Sequence, residues 1–250
     1  MFAGAQLFTV RKYTQTPEDI RSTFKRIAEI GYKYAQVSAI GPIEAEELRD
    51  IATESGVKIC NTHSNQDRIL NDTDALIAEH KIYNCNQIGI GSMPPRYQGS
   101  IEGAKQFIAD YRPVAQKLLD NGMTLAYHNH AFEFVPFDGV RPFDYLVENF
   151  EELHFIPDVY WLQVAGKNPA KVLESLKDRV EVCHFKDIVP DTENKFKMAP
   201  VLEGNLDFDD IIAACNKANI QYCMVEQDLC YELDPFDALA ISYNNLQKVL

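Results

Sequence analysis

The chain predicts a (β/α)₈ barrel, a TIM barrel formed as a single domain over residues 1–250. Three observations carry that expectation. Strand-like apolar runs and amphipathic segments alternate strictly through the 250 residues, giving eight strand-then-helix units. No Ser/Gly-rich linker or low-complexity segment interrupts them. Imidazoles and carboxylates gather at the carboxyl ends of the predicted strands, the face where the strand-to-helix loops of a barrel converge. The doubly wound open sheet is the alternative architecture, but no GxGxxG follows any strand, which disfavours its dinucleotide-binding form.

The elements follow in order. The run Ala5–Val10 reads as the first strand. Thr16-Pro17-Glu18-Asp19 then starts a helix, with Thr16 as N-cap, Pro17 at the first helical position and acids in the first turn. Its apolar face is Ile20, Phe24, Ile27 and Ile30, and Gly31 stops it. Tyr34–Ser38 is the second strand, a helix from about Ile43 to Ser55 closes at Gly56, and Val57–Thr62 is a strand ending at His63. The cycle repeats with a helix near Asp74–Tyr83, a strand Asn86–Ile90, a long helix Ser100–Asp120 and a strand opening at Thr124 after Asn121-Gly122. Further on, helices are expected at Pro142–Asn149, Pro169–Leu176, Asp207–Ala218 and Pro235–Val249, and strands at Leu153–Ile156, Val180–Phe185 and Tyr222–Val225.

Composition narrows the class. An apolar fraction of 46% supports a sizeable core. A formal charge of −13 argues against nucleic acid as a partner, because binding it needs Lys and Arg to displace phosphate counterions. No apolar run approaches the roughly 20 residues of a membrane span. No signal-peptide pattern precedes the first strand, so a cytoplasmic location is expected, unless a leader has been removed. The six cysteines form no CxxC pair and read as small buried hydrophobes in a reduced compartment.

The chemistry concentrates in Thr124–Phe134, TLAYHNHAFEF. On a strand, alternate side chains share a face, so His128 and His130 are expected to point the same way, with Glu133 close behind. His63, Asp158, His184, Lys186, Glu226 and Asp228 occupy equivalent strand ends, and with His128 and His130 the strand ends hold four of the six histidines. Left unpaired, such groups would cost several kcal/mol each, on the order of the burial penalty of polar groups. A metal ion, or mutual pairing around Lys186, would offset that cost. Mainly oxygen ligation suits Mn²⁺, Mg²⁺ or Co²⁺, and more histidine tilts the set toward Zn²⁺. Trp161, the only tryptophan, is a candidate for stacking on a sugar face. The Gly89-Ile90-Gly91-Ser92 turn is too short and common a pattern to read as a phosphate grip.

In YHNHAFEF, DVYWLQVAGKNP (158–169), HFKD (184–187), LEGNLDF (202–208) and VEQD (225–228), the chain resembles the xylose-isomerase-like TIM barrels of the sugar phosphate isomerase/epimerase type, related to inosose dehydratases and ketose epimerases. The resemblance implies one divalent metal, usually Mn²⁺, held by Glu, Asp, His and Glu of the last four strands. Asp158, His184 and Glu226 fall on three of those places. Glu133 is assigned the fourth, with His128 or His130 as catalytic base or an additional ligand. Two departures stand out. Trp161 replaces the histidine of the Asp-x-x-His found in epimerases and apurinic endonucleases, so a second metal of the endonuclease type lacks a ligand. The strand-end Glu of ketose epimerases is replaced by the His-Asn-His run, which argues against simple ketose 3-epimerisation.

Three readings follow. In an isomerase or epimerase, a carbonyl and its neighbouring hydroxyl chelate the metal, and a carboxylate or imidazole removes the acidified α-proton. Glu226 with His128, His130 or Glu133 supplies the pair, and an imidazole of near-neutral pKa suits the task. A lyase on a keto-sugar or keto-inositol shares that first step and expels a leaving group with His63 or Lys186 as acid. A non-catalytic sugar-binding barrel is the third. His63, Trp161 and Asp228 are expected to touch substrate, a small sugar, and a homo-oligomer is compatible with the pattern.

Overall fold

The computed structural model describes residues 1–250. Eight parallel strands form the central sheet: β1 (Phe2–Gln6), β2 (Tyr34–Val37), β3 (Lys58–His63), β4 (Gln87–Ile90), β5 (Thr124–His128), β6 (Leu153–Ile156), β7 (Val182–Phe185) and β10 (Tyr222–Val225). Consecutive strands pair side by side, and β10 lies between β7 and β1. Single bridges Phe155–Val180 and Asp158–His184 close the ring between β6 and β7. The predicted (β/α)₈ barrel is therefore the observed fold. A hairpin, β8 (Asp187–Pro190) with β9 (Phe196–Ala199), is inserted after β7 and was not foreseen.

The helices are α1 (Pro17–Ile30), α2 (Ala45–Ser55), α3 (Gln66–Asn71), α4 (Thr73–Ile82), α5 (Ile101–Leu119), α6 (Pro142–Asn149), α7 (Val159–Val164), α8 (Pro169–Leu176), α9 (Phe208–Lys217) and α10 (Pro235–Leu246). Their ends obey the local chemistry. Thr16 and Asp207 accept backbone N–H groups of α1 and α9 at 3.2 and 3.1 Å. Gly31 ends α1 at a φ of +126°, a conformation that favours glycine. Their apolar faces join the inner strands' outward residues in one core that includes Phe24, Phe107, Leu125 and Phe155. No helix is long and apolar enough to cross a membrane.

Several boundaries shift by a few residues and α3 and α7 were not expected; two of the differences have an identifiable reason or bear on the site. The first strand ends at Gln6, and Leu7–Tyr13 turns as 3₁₀ helix, because the Gln6 side chain accepts the Phe8 amide at 2.7 Å. The strand opening at Thr124 ends at His128, so His130 lies beyond the β5 ladder.

Inside the barrel, strand alternation places Ala126, Ile156, Val182 and Met224 in one small apolar layer with Cys60. Two residues further along their strands come His128, Asp158, His184 and Glu226. The fold thus sets four polar side chains in register directly above an apolar floor. All six cysteines are free, and five are buried.

Candidate metal centre and active site

His128, Asp158, His184 and Glu226 converge with one ligand atom each, all within 4.8 Å of one another, and all four are buried. The site straddles the closing seam of the barrel: Asp158 pairs with His184, whose amide donates to the Pro157 carbonyl at 2.8 Å. Asp158 has two tasks. Its Oδ1 accepts the Trp161 amide at 3.0 Å and caps α7, while its Oδ2 faces the cluster.

Partners outside the cluster set the orientation of both imidazoles. His128 has Nδ1 2.9 Å from the Gly91 carbonyl and Nε2 3.1 Å from Asp158 Oδ2. His184 has Nε2 2.6 Å from Gln36 Oε1 and Nδ1 2.8 Å from Glu226 Oε2. A neutral imidazole carries one N–H, so donation to Gly91 and to Gln36 leaves a lone pair on each ring aimed at a carboxylate. His184 Nδ1 accordingly lacks a hydrogen-bond partner, and Glu226 Oε2 faces it while touching the Lys186 ammonium at 2.9 Å. Lone pairs of two imidazoles and two carboxylates turned toward each other in a buried space are the arrangement a divalent cation satisfies. The residues therefore fit a metal ion. Gln6 steadies the set by donating Nε2 to Glu226 Oε1 at 3.1 Å, and Asn129 Oδ1 accepts the Asp158 amide at 3.1 Å.

Lys186 lies beside this cluster, its Nζ 3.1 Å from Asp158 Oδ2, 2.9 Å from Glu226 Oε2 and 2.9 Å from Asp228 Oδ1. Burial opposes its charge, but the three carboxylates outweigh burial and push the ammonium pKa up. Burial likewise opposes the Asp158 anion, and Lys186 with His128 reverses this, holding the carboxyl down to about 2. Asp228 is pushed up to about 6 by burial and by Glu226, against the pull of Lys186.

The structure places Glu133 outside the four-residue cluster. Its Oε1 accepts from Tyr127 Oη at 2.6 Å and its Oε2 from the His130 amide at 2.9 Å, within the turn Phe132–Phe134. His128, not Glu133, stands with the other three, because it ends the β5 strand on the inward face that Ala126 also occupies.

The cluster opens into a cavity of about 760 Å³ lined by His63, His128, His130, Lys186, Glu226 and Asp228 among others. Trp161 does not line it; the indole packs 5.2 Å from the His130 ring, and Phe132 stacks on the same imidazole at 5.6 Å. The rings of His63 lie 5.3 and 5.4 Å from those of His128 and His184. Gly89 and Gly91 admit His63: a Cβ on either would come within 2.9 Å of its ring. His63 Nε2 and His130 Nδ1 are buried and have no partner. Burial, reinforced by His128, pushes the His130 imidazole down to about 3, far from the near-neutral value expected of it. His63 is lowered for the same reasons. Both rings are neutral at pH 7, available to accept a proton and of reduced basicity.

Gln6, Gln36 and Asn129 were not singled out from the sequence. An amide in the last inward position of a strand, as at Gln6 and Gln36, is the signal that would have found two of them.

A closed parallel barrel carrying a buried two-imidazole, two-carboxylate cluster at its C-terminal mouth defines a barrel protein with a candidate metal centre. The chain belongs to the xylose isomerase-like TIM barrel family, whose model matches residues 24–233. Among solved structures, a sugar phosphate isomerase/epimerase from Parabacteroides distasonis ATCC 8503 has a TM-score of 0.81 at 17% identity, covering 99% of this chain and 93% of that one. The probable 3-DHS dehydratase AsbF from Bacillus anthracis has a TM-score of 0.74 at 14% identity, covering 100% of each chain. A xylose isomerase-like TIM barrel protein from Mycobacterium smegmatis in complex with magnesium has a TM-score of 0.75 at 12% identity, covering 99% and 95%. At these identities the likeness is one of fold. No curated protein sequence matches the chain.

Proposed function

We propose that the protein is a metal-dependent isomerase or epimerase that acts on a sugar or sugar derivative by abstracting a proton α to a carbonyl. One observation carries the reading: a buried set of four candidate ligands opens, through His128 and Glu226, into a cavity lined by two imidazoles, His63 and His130, whose free nitrogens have no partner. His128, Asp158, His184 and Glu226 would hold the ion, with Mn²⁺ the candidate and the second imidazole favouring Zn²⁺ over Mg²⁺. When bound, a divalent ion would polarise a substrate carbonyl and acidify the neighbouring C–H. His130 accepts that proton at Nδ1, and His63 Nε2 exchanges a proton with the substrate at the adjacent centre. Lys186 and Asp228, also on the cavity wall, orient hydroxyl groups.

A lyase is the second reading, favoured by the presence of both His63 and Lys186 in the same cavity. Lys186 stays protonated through its three carboxylates, so a charged N–H donor to a departing hydroxyl oxygen lines the same cavity as the base. The fold likeness to a dehydratase fits the same reading.

The test is chelation followed by metal return, with Mn²⁺, Co²⁺ and Zn²⁺ compared for recovery of turnover on keto-sugar substrates. His130→Asn is expected to lower turnover at least ~100-fold with metal content unchanged, the size of a lost general base. In D₂O the α-hydrogen should exchange with solvent. Isomerisation leaves product mass unchanged apart from deuterium, whereas elimination removes the leaving group. Full turnover in both His130→Asn and His63→Asn would sink the proposal.

A further inference from the structure

The Lys186 ammonium touches the two oxygens that also face the imidazole lone pairs. Asp158 Oδ2 is 3.1 Å from both Lys186 Nζ and His128 Nε2. Glu226 Oε2 is 2.9 Å from Nζ and 2.8 Å from His184 Nδ1. An ammonium and a divalent ion both need those oxygens, and at such separations two buried cations repel strongly. Asp228 Oδ1, 2.9 Å from Nζ, is the one carboxylate touching Lys186 that lies outside the four-residue cluster. Three carboxylates and one ammonium leave a formal charge of −2, which a divalent ion brings to zero. The charges thus accommodate both cations, provided the ammonium is drawn toward Asp228.

We infer that Lys186 is an internal cation that holds the metal-site carboxylates in the metal-free protein, and that Asp228 is a positioning residue that takes the ammonium over when metal binds. The Lys186–Asp228 pair thereby sets the metal affinity of the site. The inference rests on the reading of the cluster as a metal centre. Lys186 competes with the ion, and Asp228 relieves the competition. A lysine that merely braced the wall would instead support the ligands, and its loss would weaken binding.

The experiment is calorimetric titration of Mn²⁺ into metal-stripped full-length protein, with thermal melts of the stripped and loaded forms. Lys186→Met is expected to bind Mn²⁺ at least ~10-fold more tightly than wild type, since a competing buried charge is gone. Its stripped form should melt lower than stripped wild type, with the deficit reduced once loaded. Asp228→Asn should bind at least ~10-fold more weakly, and in the Lys186→Met background the same change should cost much less. Equal or weaker binding by Lys186→Met overturns the inference. Should that variant not fold, unchanged affinity in Asp228→Asn overturns it equally. No Mn²⁺ uptake by wild type would overturn the metal reading itself, an outcome distinct from uptake that is indifferent to Lys186.

Discussion

A carboxylate buried away from any cation needs donors, and Glu133 finds them in the Tyr127 hydroxyl and the His130 amide. Burial pushes its pKa up, and those two bonds pull it back. Its work is to shape the turn that presents His130. Glu133→Gln should therefore retain the metal while losing about 1–2 kcal/mol of stability, the size of a weakened buried hydrogen bond. His128→Ala should lose metal. Elemental analysis beside urea denaturation checks both, and metal loss in Glu133→Gln would return that residue to the ligand set. Composition and position had marked the whole cluster as polar groups at a barrel mouth. The choice of His128 depends on where β5 ends, because one step past His128 the alternation stops and residue count no longer reports direction.

At the scale of elements, Asp187 governs the segment that follows β7. Its Oδ1 accepts the amides of Ile188 and Leu206 at 2.8 and 3.1 Å, and its Oδ2 those of Leu202 and Gly204 at 2.9 Å each. One side chain thus pins the 202–206 loop to the start of the β8–β9 hairpin, next to Lys186. Gly204 is required by the closeness: a Cβ there would lie 2.3 Å from Asp187 Oδ1. Gly204→Ala should cost about 1–3 kcal/mol through forced displacement. Asp187→Ala, which strands four amides, should cost more and should speed proteolysis within 187–206. Chemical denaturation and limited proteolysis measure the two effects, and a Gly204→Ala protein of wild-type stability would contradict the account. The HFKD and LEGNLDF stretches were visible as motifs in the chain. Their mutual contact was not, since it joins residues across an unforeseen hairpin.

For the molecule as a whole, acid sensitivity should exceed that of its exposed carboxylates. His80 is buried, with Nδ1 2.7 Å from the Leu76 carbonyl and Nε2 2.9 Å from Thr62 Oγ1, and burial lowers its pKa from 6.5 to about 4. A lowered folded pKa means the unfolded chain binds the proton first. Stability is therefore full above pH 6.5 and falls as pH drops toward 4, by on the order of 3 kcal/mol for this group alone. Below that, protonation of Asp158, held near 2, removes more. Urea unfolding at pH 7 and 4.5 should show the fall, and His80→Gln should flatten it. An unchanged pH slope in His80→Gln would assign the sensitivity elsewhere.

Strand-and-helix alternation, the capping residues Thr16 and Asp207, and the placement of imidazoles and carboxylates at strand ends are local properties, so the chain by itself determined the barrel and the face that carries the site. Those signals are short-range: period, cap and turn each involve a few neighbouring residues. Closure of β6 against β7 brought Asp158 beside His184, and the end of β5 chose His128 over Glu133. The ring of strands as a whole set Lys186 among three carboxylates and Gln36 of β2 behind His184. These pairings join residues up to 148 positions apart, as for His184 and Gln36. Only the closed barrel, with its register and its buried, low-dielectric interior, could decide them.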